Sequence, residues 1–168
     1  MSANSYLTVV SGIETMIEAT EVSSGVGNAN QIVALNAYGQ VDITMMPTGI
    51  GPDTQLIVSS ENLAAGAFVN IYNVSGTPTV RNADNSNGRA AMGFVLASTV
   101  SPASALVYLT GINLELSGLI PGIRQYLGIV GAVTSTPPAV GSGDLLQYLG
   151  TATNATSVQF SEEDYIQL

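Results

Sequence analysis

Residues 68–82 form the stretch that decides the fold, and they read Phe-Val-Asn-Ile-Tyr-Asn-Val-Ser-Gly-Thr-Pro-Thr-Val-Arg-Asn. The first seven residues alternate, which places Val69 and Ile71 on one face of a strand and the residues around them on the other. Ser75 and Gly76 have the residue types of a two-residue hairpin turn. Residues 77–82 are therefore expected to pair back on the first strand as an antiparallel partner.

Short strand-like runs continue from residue 53 to the end of the chain, separated by Gly, Pro, Asn and Asp. We predict further strands at 55–59, 90–97, 104–110, 123–128, 132–134, 145–152 and 157–160. The strands at 132–134 and 145–152 are expected to pair across the loop that holds Pro137 and Pro138. Strands this short, spaced by about ten residues, are typical of sandwiches and small barrels. The sequence predicts an all-β fold, a compact antiparallel β-sandwich or small barrel (Greek-key-like).

The N-terminal third of the chain has a different pattern, with short pieces separated by turn-forming residues. We predict an extended N-terminal arm over residues 1–52, with short helix and strand pieces, and a β domain over residues 53–168. Apolar residues at helical spacing within 11–21 predict one or two turns of helix, with Ser11 as the cap. Residues 31–35 predict a strand and residues 36–39 a turn. The alternative is that these pieces are the first strands of the same domain.

The composition excludes most enzymatic chemistry. The chain has no His, Cys, Lys or Trp, and its only cationic side chains are Arg81, Arg89 and Arg124. Most enzymes need a base that titrates near neutral pH, an activated nucleophile or a metal cage. We therefore expect a protein that is not an enzyme, with no catalytic residues, no cofactor and no metal.

Three loops have some chemical character, and each also has a simpler interpretation. Residues 84–88 (Asp-Asn-Ser-Asn-Gly) offer oxygen ligands without the register of a calcium loop, so we predict a turn. Residues 141–144 resemble a serine-nucleophile setting, but a hydrolase would also need a His, so we predict a loop. Residues 162–164 are three consecutive acids, which we interpret as a solvated tail.

Charge is scarce and one-sided. Only 9% of the residues are charged, and the formal net charge is −9. Either Ser, Thr and Asn hydrate the surface, or other subunits cover much of it. The acidic balance disfavours nucleic acid and anionic membranes as partners. The N-terminal residues lack the basic region of a secretory signal, and no apolar stretch reaches the ~20 residues of a membrane span. We expect synthesis in a cytoplasm.

Several segments carry a family resemblance. They are Leu-Ala-Ala-Gly-Ala-Phe-Val-Asn-Ile-Tyr at 63–72, Val-Arg-Asn-Ala-Asp at 80–84, Gly-Phe-Val-Leu at 93–96, Val-Tyr-Leu-Thr-Gly at 107–111, Pro-Gly at 121–122 with Tyr-Leu-Gly at 126–128, and Leu-Gln-Tyr-Leu-Gly-Thr-Ala at 146–152. Together they resemble virion structural proteins of tailed bacteriophages, of the capsid decoration (cement) type. The small β module that they resemble is also found in tail-fibre-like proteins. Residues 32–47 resemble an element that precedes this β module in phage proteins.

The resemblance implies a location and partners. A decoration protein binds the outer surface of a phage head and stabilises the shell, so the expected location is the virion. The expected partners are the major capsid protein and further copies of the chain, as a trimer. No catalytic residues accompany such families. The arm is expected to reach across neighbouring capsid subunits, with anchors at Tyr6, Leu7, Ile43, Met45 and Met46; methionine side chains adapt to irregular surfaces.

Two other functions stay open. The first is a tail-associated structural protein, either a short fibre or a receptor-binding module. A fibre normally carries repeats or a coiled-coil shaft, and the sequence shows no heptad pattern. The second is a glycan-binding or hydrolytic β domain. The lack of Trp argues against sugar stacking, although carboxylates alone can build a glycosidase site.

Overall fold

The computed structural model describes residues 5–37, 39–46 and 53–168, and the regular structure in these ranges is almost entirely β. The all-β prediction is thus confirmed. The chain divides into two compact units, Met1–Gly51 and Pro52–Leu168. Within the described ranges, no helix has the length and hydrophobicity needed to cross a bilayer.

The first unit begins with a β-hairpin where the sequence predicted helical turns. Strand β1 (Ser5–Val10) pairs antiparallel with β2 (Ile13–Glu18). The two connecting residues, Ser11 and Gly12, have φ angles of 53° and 83°. Positive φ at both central positions is the type I′ geometry that fits the twist of paired strands. The helix prediction was wrong because Ser11 begins a hairpin turn and does not cap a helix, and β-branched residues occupy half of each flanking strand.

The rest of the first unit has little regular structure. Short 3-10 turns lie at Val26–Asn28 and Ile43–Met45. The strand predicted at 31–35 is wrong in extent: it is reduced to a single parallel bridge between Thr20 and Val33. A single bridge does not provide the repeated inter-strand hydrogen bonds that would pair the neighbouring backbone groups. The turn predicted at 36–39 is confirmed, since the Gly39 N–H donates to the Asn36 carbonyl at 2.9 Å, although Tyr38 lies outside the described residues.

The second unit contains a closed five-stranded barrel. Its strands are β3 (Thr54–Ser59), β4 (Phe68–Val74), β5 (Thr77–Asn82), β6 (Gly93–Val95) and β7 (Ser104–Tyr108), in the order β3-β5-β4-β6-β7. The predicted β4–β5 hairpin is confirmed, with Ser75 and Gly76 at φ 52° and 87°. One pair departs from the antiparallel expectation. Strand β5 pairs antiparallel with β4 and parallel with β3, because an odd number of strands cannot alternate in direction around a closed barrel.

A second sheet completes this unit. Its strands are β8 (Gly111–Asn113), β9 (Arg124–Leu127), β10 (Val133–Thr134), β11 (Leu145–Asn154), β12 (Ser157–Phe160) and β13 (Tyr165–Gln167). The order is β10-β9-β11-β12-β8, and β13 also pairs with β11. The predicted pairing of 132–134 with 145–152 is wrong: β10 pairs with β9 across a short turn, and closing a short loop costs less entropy. The acidic residues 162–164 link β12 to β13, so they are not a terminal tail.

A buried glutamine explains why the strand predicted at 90–97 is short. The Gln147 side chain accepts from the Ala91 N–H at 2.7 Å and donates to the Ala91 carbonyl at 2.8 Å. These two bonds take the place of the inter-strand backbone bonds that Ala91 would make in a longer β6. The Gln147 side chain is buried, with only 1% of it exposed. The side chain also donates to the Glu163 carbonyl at 3.1 Å. Gln147 therefore fastens the barrel and the β12–β13 link to the second sheet.

The apolar core has two parts. The first fills the barrel and consists of Ile57, Leu63, Ala67, Val69, Val80, Val95, Ala105 and Val107. The second lies between barrel and sheet and consists of Phe68, Ala83, Ala91, Phe94, Leu127, Leu149 and Phe160. The adjacent residues Phe68 and Val69 enter different parts, as strand alternation predicts. Phe160 packs on Phe68 at 5.3 Å and on Phe94 at 6.0 Å between ring centroids. These rings join the two layers.

Two glycines provide a stability test of the close packing between β11 and β12. Gly150 has a φ of +136°, and a Cβ there would overlap the Gln159 carbonyl oxygen. Gly111 has a similar φ of +120°, but a Cβ there would meet no atom within 4 Å. We expect Gly111→Ala to cost about 1–3 kcal/mol from backbone strain. Gly150→Ala should cost about 1–3 kcal/mol more, because the neighbouring backbone must also move.

Urea unfolding followed by circular dichroism measures both variants against the wild type. Equal losses for the two variants would contradict the proposed overlap at Gly150.

Candidate interaction surfaces

The β1–β2 hairpin exposes an apolar surface. Leu7, Val9 and Met16 project from the same side of the hairpin, and each is between 61% and 65% exposed. Leu7 and Met16 are direct cross-strand partners, and Val9 faces Glu14. A two-stranded hairpin in water is only marginally stable unless its apolar side is covered. We call Leu7, Val9 and Met16 the hairpin surface.

The five predicted arm anchors lie in two places. Tyr6 and Leu7 are neighbours in β1, so they point to opposite sides; Tyr6 is half-buried and Leu7 is exposed. Met45 is half-buried and Met46 is 43% exposed, at the end of the second 3-10 turn. The side chain of Ile43 lies outside the described residues. The anchoring role of these residues stays a prediction.

Sequence reasoning missed Val9 and Met16. Both are as exposed as Leu7, but Met16 falls within the predicted helix and no strand is predicted at Val9. The signal that would have found them is the Ser11-Gly12 pair, which has the same residue types as the correctly interpreted turn at Ser75-Gly76. A hairpin assignment would have placed Val9 and Met16 on one side with Leu7.

A second surface comes from a duplicated tetrapeptide. Gln-Tyr-Leu-Gly occurs at 125–128 and again at 147–150. The two copies lie in β9 and β11, which pair antiparallel with Tyr126 opposite Tyr148. In each copy the Gln and Leu side chains are buried and the Tyr faces outward. The tyrosines therefore meet on the outer side of the sheet, where cross-strand packing was the expected role.

The outward residues around these tyrosines form what we call the aromatic face: Arg124, Tyr126, Leu146, Tyr148 and Ile166. The two tyrosine rings are 6.0 Å apart and nearly perpendicular. The Arg124 guanidinium carbon lies 5.7 Å from the Tyr148 ring centre. Ile166 is the cross-strand partner of Leu146 and is exposed.

The aromatic face borders a shallow groove. The Tyr148 hydroxyl is 2.7 Å from Thr151 Oγ1, which fixes the orientation of the ring. Tyr148 and Thr151 line the groove, of about 280 Å³, together with Thr153, Gln159, Ser161 and Glu163. One end of the aromatic face thus carries a cation, and its border carries a carboxylate.

The three arginines have different partners. Arg89 forms an ion pair with Glu61 at 2.8 Å. Arg81 lies 4.1 Å over the Tyr72 ring and donates from Nε to Asn70 Oδ1 at 3.0 Å. Within residues 5–37, 39–46 and 53–168, no carboxylate lies within 4 Å of Arg124. Arg124 is exposed, so its charge is available to a partner.

The loop at 84–88 is a turn, as predicted. Asp84 caps a short 3-10 turn at Asn85–Asn87, and Gly88 ends it with a φ of 75°. Asp84 Oδ1 accepts from the Ser86 N–H and hydroxyl, and Oδ2 accepts from the Val130 N–H at 3.0 Å. The carboxylate therefore links the barrel to the β9–β10 turn. Among the described residues, no group of three His, Cys, Asp or Glu is arranged for a metal ion.

The acidic residues 162–164 border an open cleft of about 470 Å³. Its walls include Met92, Tyr165 and the amide side chains of Asn70 and Gln147. Both amides are already hydrogen-bonded to backbone carbonyls, at Ala90 for Asn70. The cleft thus presents carboxylates and an aromatic edge, while its amides have structural roles.

Comparison with known proteins gives one structural similarity. No protein-family model matches the sequence, and no curated protein matches it. The chain is similar to the crystal structure of the head fiber gp8.5 N base in bacteriophage phi29, with 11% sequence identity and a TM-score of 0.42. That match covers 64% of this chain and 92% of the phage phi29 chain.

Two carboxylates predict how stability depends on pH. Burial raises the pKa of Asp84, but hydrogen bonds from Ser86 and Val130 and the charge of Arg89 outweigh it, so the pKa is lowered. Burial likewise raises the pKa of Glu61, and bonds from Asn82 and Arg89 lower it overall. A lowered pKa in the folded state stabilises the protein above the unfolded pKa, and this contribution is lost as pH falls through the folded pKa. Stability should decline below about pH 4.5, near the ordinary pKa of these groups.

The variant Asp84→Asn tests this assignment. We expect it to lose about 1–3 kcal/mol at pH 7, because an amide cannot accept from both Ser86 and Val130. Its further loss between pH 5 and pH 3, about the span in which such carboxylates titrate, should be smaller than that of the wild type. Urea unfolding across this range measures both effects, with Glu162→Gln as the control of equal charge change. A loss on acidification as large as that of the wild type would contradict the role given to Asp84.

Proposed function

We propose that this chain is a non-enzymatic virion structural protein of a tailed bacteriophage, a capsid decoration protein that binds the outer surface of the head and stabilises the shell. The observation that carries the proposal is the hairpin surface, Leu7, Val9 and Met16, exposed in a chain with only 9% charged residues. The resemblance of residues 62–160 to phage virion proteins supports the same function.

The hairpin surface fits binding to a protein lattice by shape. Burying apolar side chains contributes about 25 cal/mol per Å² to an interface before the entropic costs of association are subtracted. Strands with unpaired edges can also add to a neighbouring sheet. We propose that the first unit supplies the anchors, at Tyr6, Leu7, Ile43, Met45 and Met46, together with Val9 and Met16. Methionines suit such contacts because their flexible side chains fill irregular spaces.

The proposed partners are the major capsid protein and further copies of this chain, which the family resemblance implies to be a trimer. A net charge of −9 opposes binding to a nucleic-acid backbone. The proposal therefore places the protein on the outside of the virion, after synthesis in the host cytoplasm, with no part in DNA packing.

Cosedimentation with capsids that lack the protein tests the proposed function. Purified protein is added to such capsids, the pellet is quantified, and the bound copies per shell are counted. Saturation at a number set by the lattice, with greater heat resistance of the loaded shell, is the expected result. A few copies per particle, or binding to tails or host cells only, would assign the protein to the fibre class.

Substitution of the hairpin surface tests the proposed anchor. We expect Leu7→Asp with Met16→Asp to weaken shell binding at least about tenfold, because charges would enter an apolar contact. The control is Val26→Asp, at a residue that is 94% exposed and outside the hairpin.

Deleting residues 1–51 should abolish binding and leave a folded β domain, as seen by circular dichroism. Normal coating of capsids by the truncated protein would contradict the anchoring role of the first unit.

A further inference from the structure

We propose that the aromatic face is a twofold contact between two copies of this chain. The face consists of Arg124, Tyr126, Leu146, Tyr148 and Ile166. The inference concerns the free protein and does not depend on binding to a phage head.

The residue types of this face are those of protein interfaces. Tyrosine and arginine are enriched among the residues that dominate binding energy. Lysine and glutamate are depleted in interfaces relative to the rest of the surface. Tyr126 and Tyr148 are held against each other, and the Thr151 hydroxyl orients Tyr148. Such rigid rings lose little conformational entropy on binding. The face is therefore prepared for a partner before binding.

Charge identifies the partner as a second copy. A chain of net charge −9 repels itself through most of its surface. The aromatic face is different, because Arg124 is an exposed cation with no carboxylate within 4 Å among the described residues. The groove beside the same face carries Glu163, which is exposed. A surface that bears an unpaired cation and a nearby carboxylate is complementary to itself.

Tyr148 defines the position of the twofold axis. Tyr148 is next to the Arg124 guanidinium, and it lines the groove together with Glu163. A rotation of 180° near Tyr148 brings Arg124 of each copy towards Glu163 of the other, as an isologous contact requires. The exposed ion pairs orient the contact and contribute little energy. The tyrosines, Leu146 and Ile166 supply the buried apolar area.

Sedimentation equilibrium of the full-length protein tests the contact, over concentrations from about 1 μM to about 1 mM, the range of moderate and weak affinities. The wild type is expected to form an assembly with an even number of 17.2 kDa chains, two through the twofold contact alone or six where that contact joins two of the proposed trimers. Tyr148→Ala should weaken this association about thirtyfold or more, the level of an interface hot spot. The control is Tyr165→Ala, a tyrosine that lines the other cleft. Circular dichroism confirms that each variant is folded.

A charge exchange tests the pairing across the axis. Arg124→Glu and Glu163→Arg should each weaken association, and the double variant should restore it, because the opposite charges face each other again. Glu162→Arg is the matched control, with the same charge change one residue away and outside the groove.

Three results would overturn the proposal. The first is a wild type that stays monomeric up to about 1 mM, the weak limit of specific association. The second is an assembly, such as a trimer, whose mass is the same in Tyr148→Ala and Tyr126→Ala. The third is a double variant that associates no better than either single charge variant.

Discussion

The contact between the barrel and the second sheet is the interaction on which the rest of the structure depends. Phe68 and Phe94 project outward from the barrel, and Phe160 covers them from the sheet. Without this layer of rings, a five-stranded barrel and an open sheet would each expose one apolar face. Gln147 and Asp84 add polar links across the same boundary. The outer side of the second sheet is thereby fixed in place, and the tyrosines of its two central strands acquire a defined geometry.

Most of the buried polar side chains are hydrogen-bonded, with Asn85 Oδ1 as an exception, and the chain is poor in charge. Glu61, Arg89 and Asp84 are committed to structural contacts. The exposed and half-buried apolar and aromatic residues include those of the hairpin surface in the first unit and of the aromatic face in the second. A protein that functions alone normally avoids such surfaces, because they promote association. Such surfaces support the proposed function, which is assembly with other subunits.

The sequence predicted the fold class and much of the strand pattern, and it was less successful with pairing. The Ser75-Gly76 hairpin and the turn at 84–88 follow from local residue types, which act through neighbours in the chain. The parallel contact of β3 with β5 joins segments that local patterns do not relate. The partner of β10 is its neighbour in the chain, β9, and the prediction instead paired it across the longer loop with Pro137 and Pro138. The helix predicted at 11–21 failed because apolar spacing alone does not separate a short helix from a strand. The same error hid Met16 of the hairpin surface, and without a hairpin Val9 was not recognised as its neighbour.

What the sequence by itself determined is the all-β class, the lack of the usual catalytic side chains and the acidic, weakly charged surface, since these follow from residue types and local alternation. What only the tertiary structure decided is which residues meet. The pairing of Tyr126 with Tyr148, the position of Arg124 beside them and the closure of the barrel depend on contacts between distant segments. Such contacts are selected by the packing of the whole domain, because each strand has several partners of equal local preference.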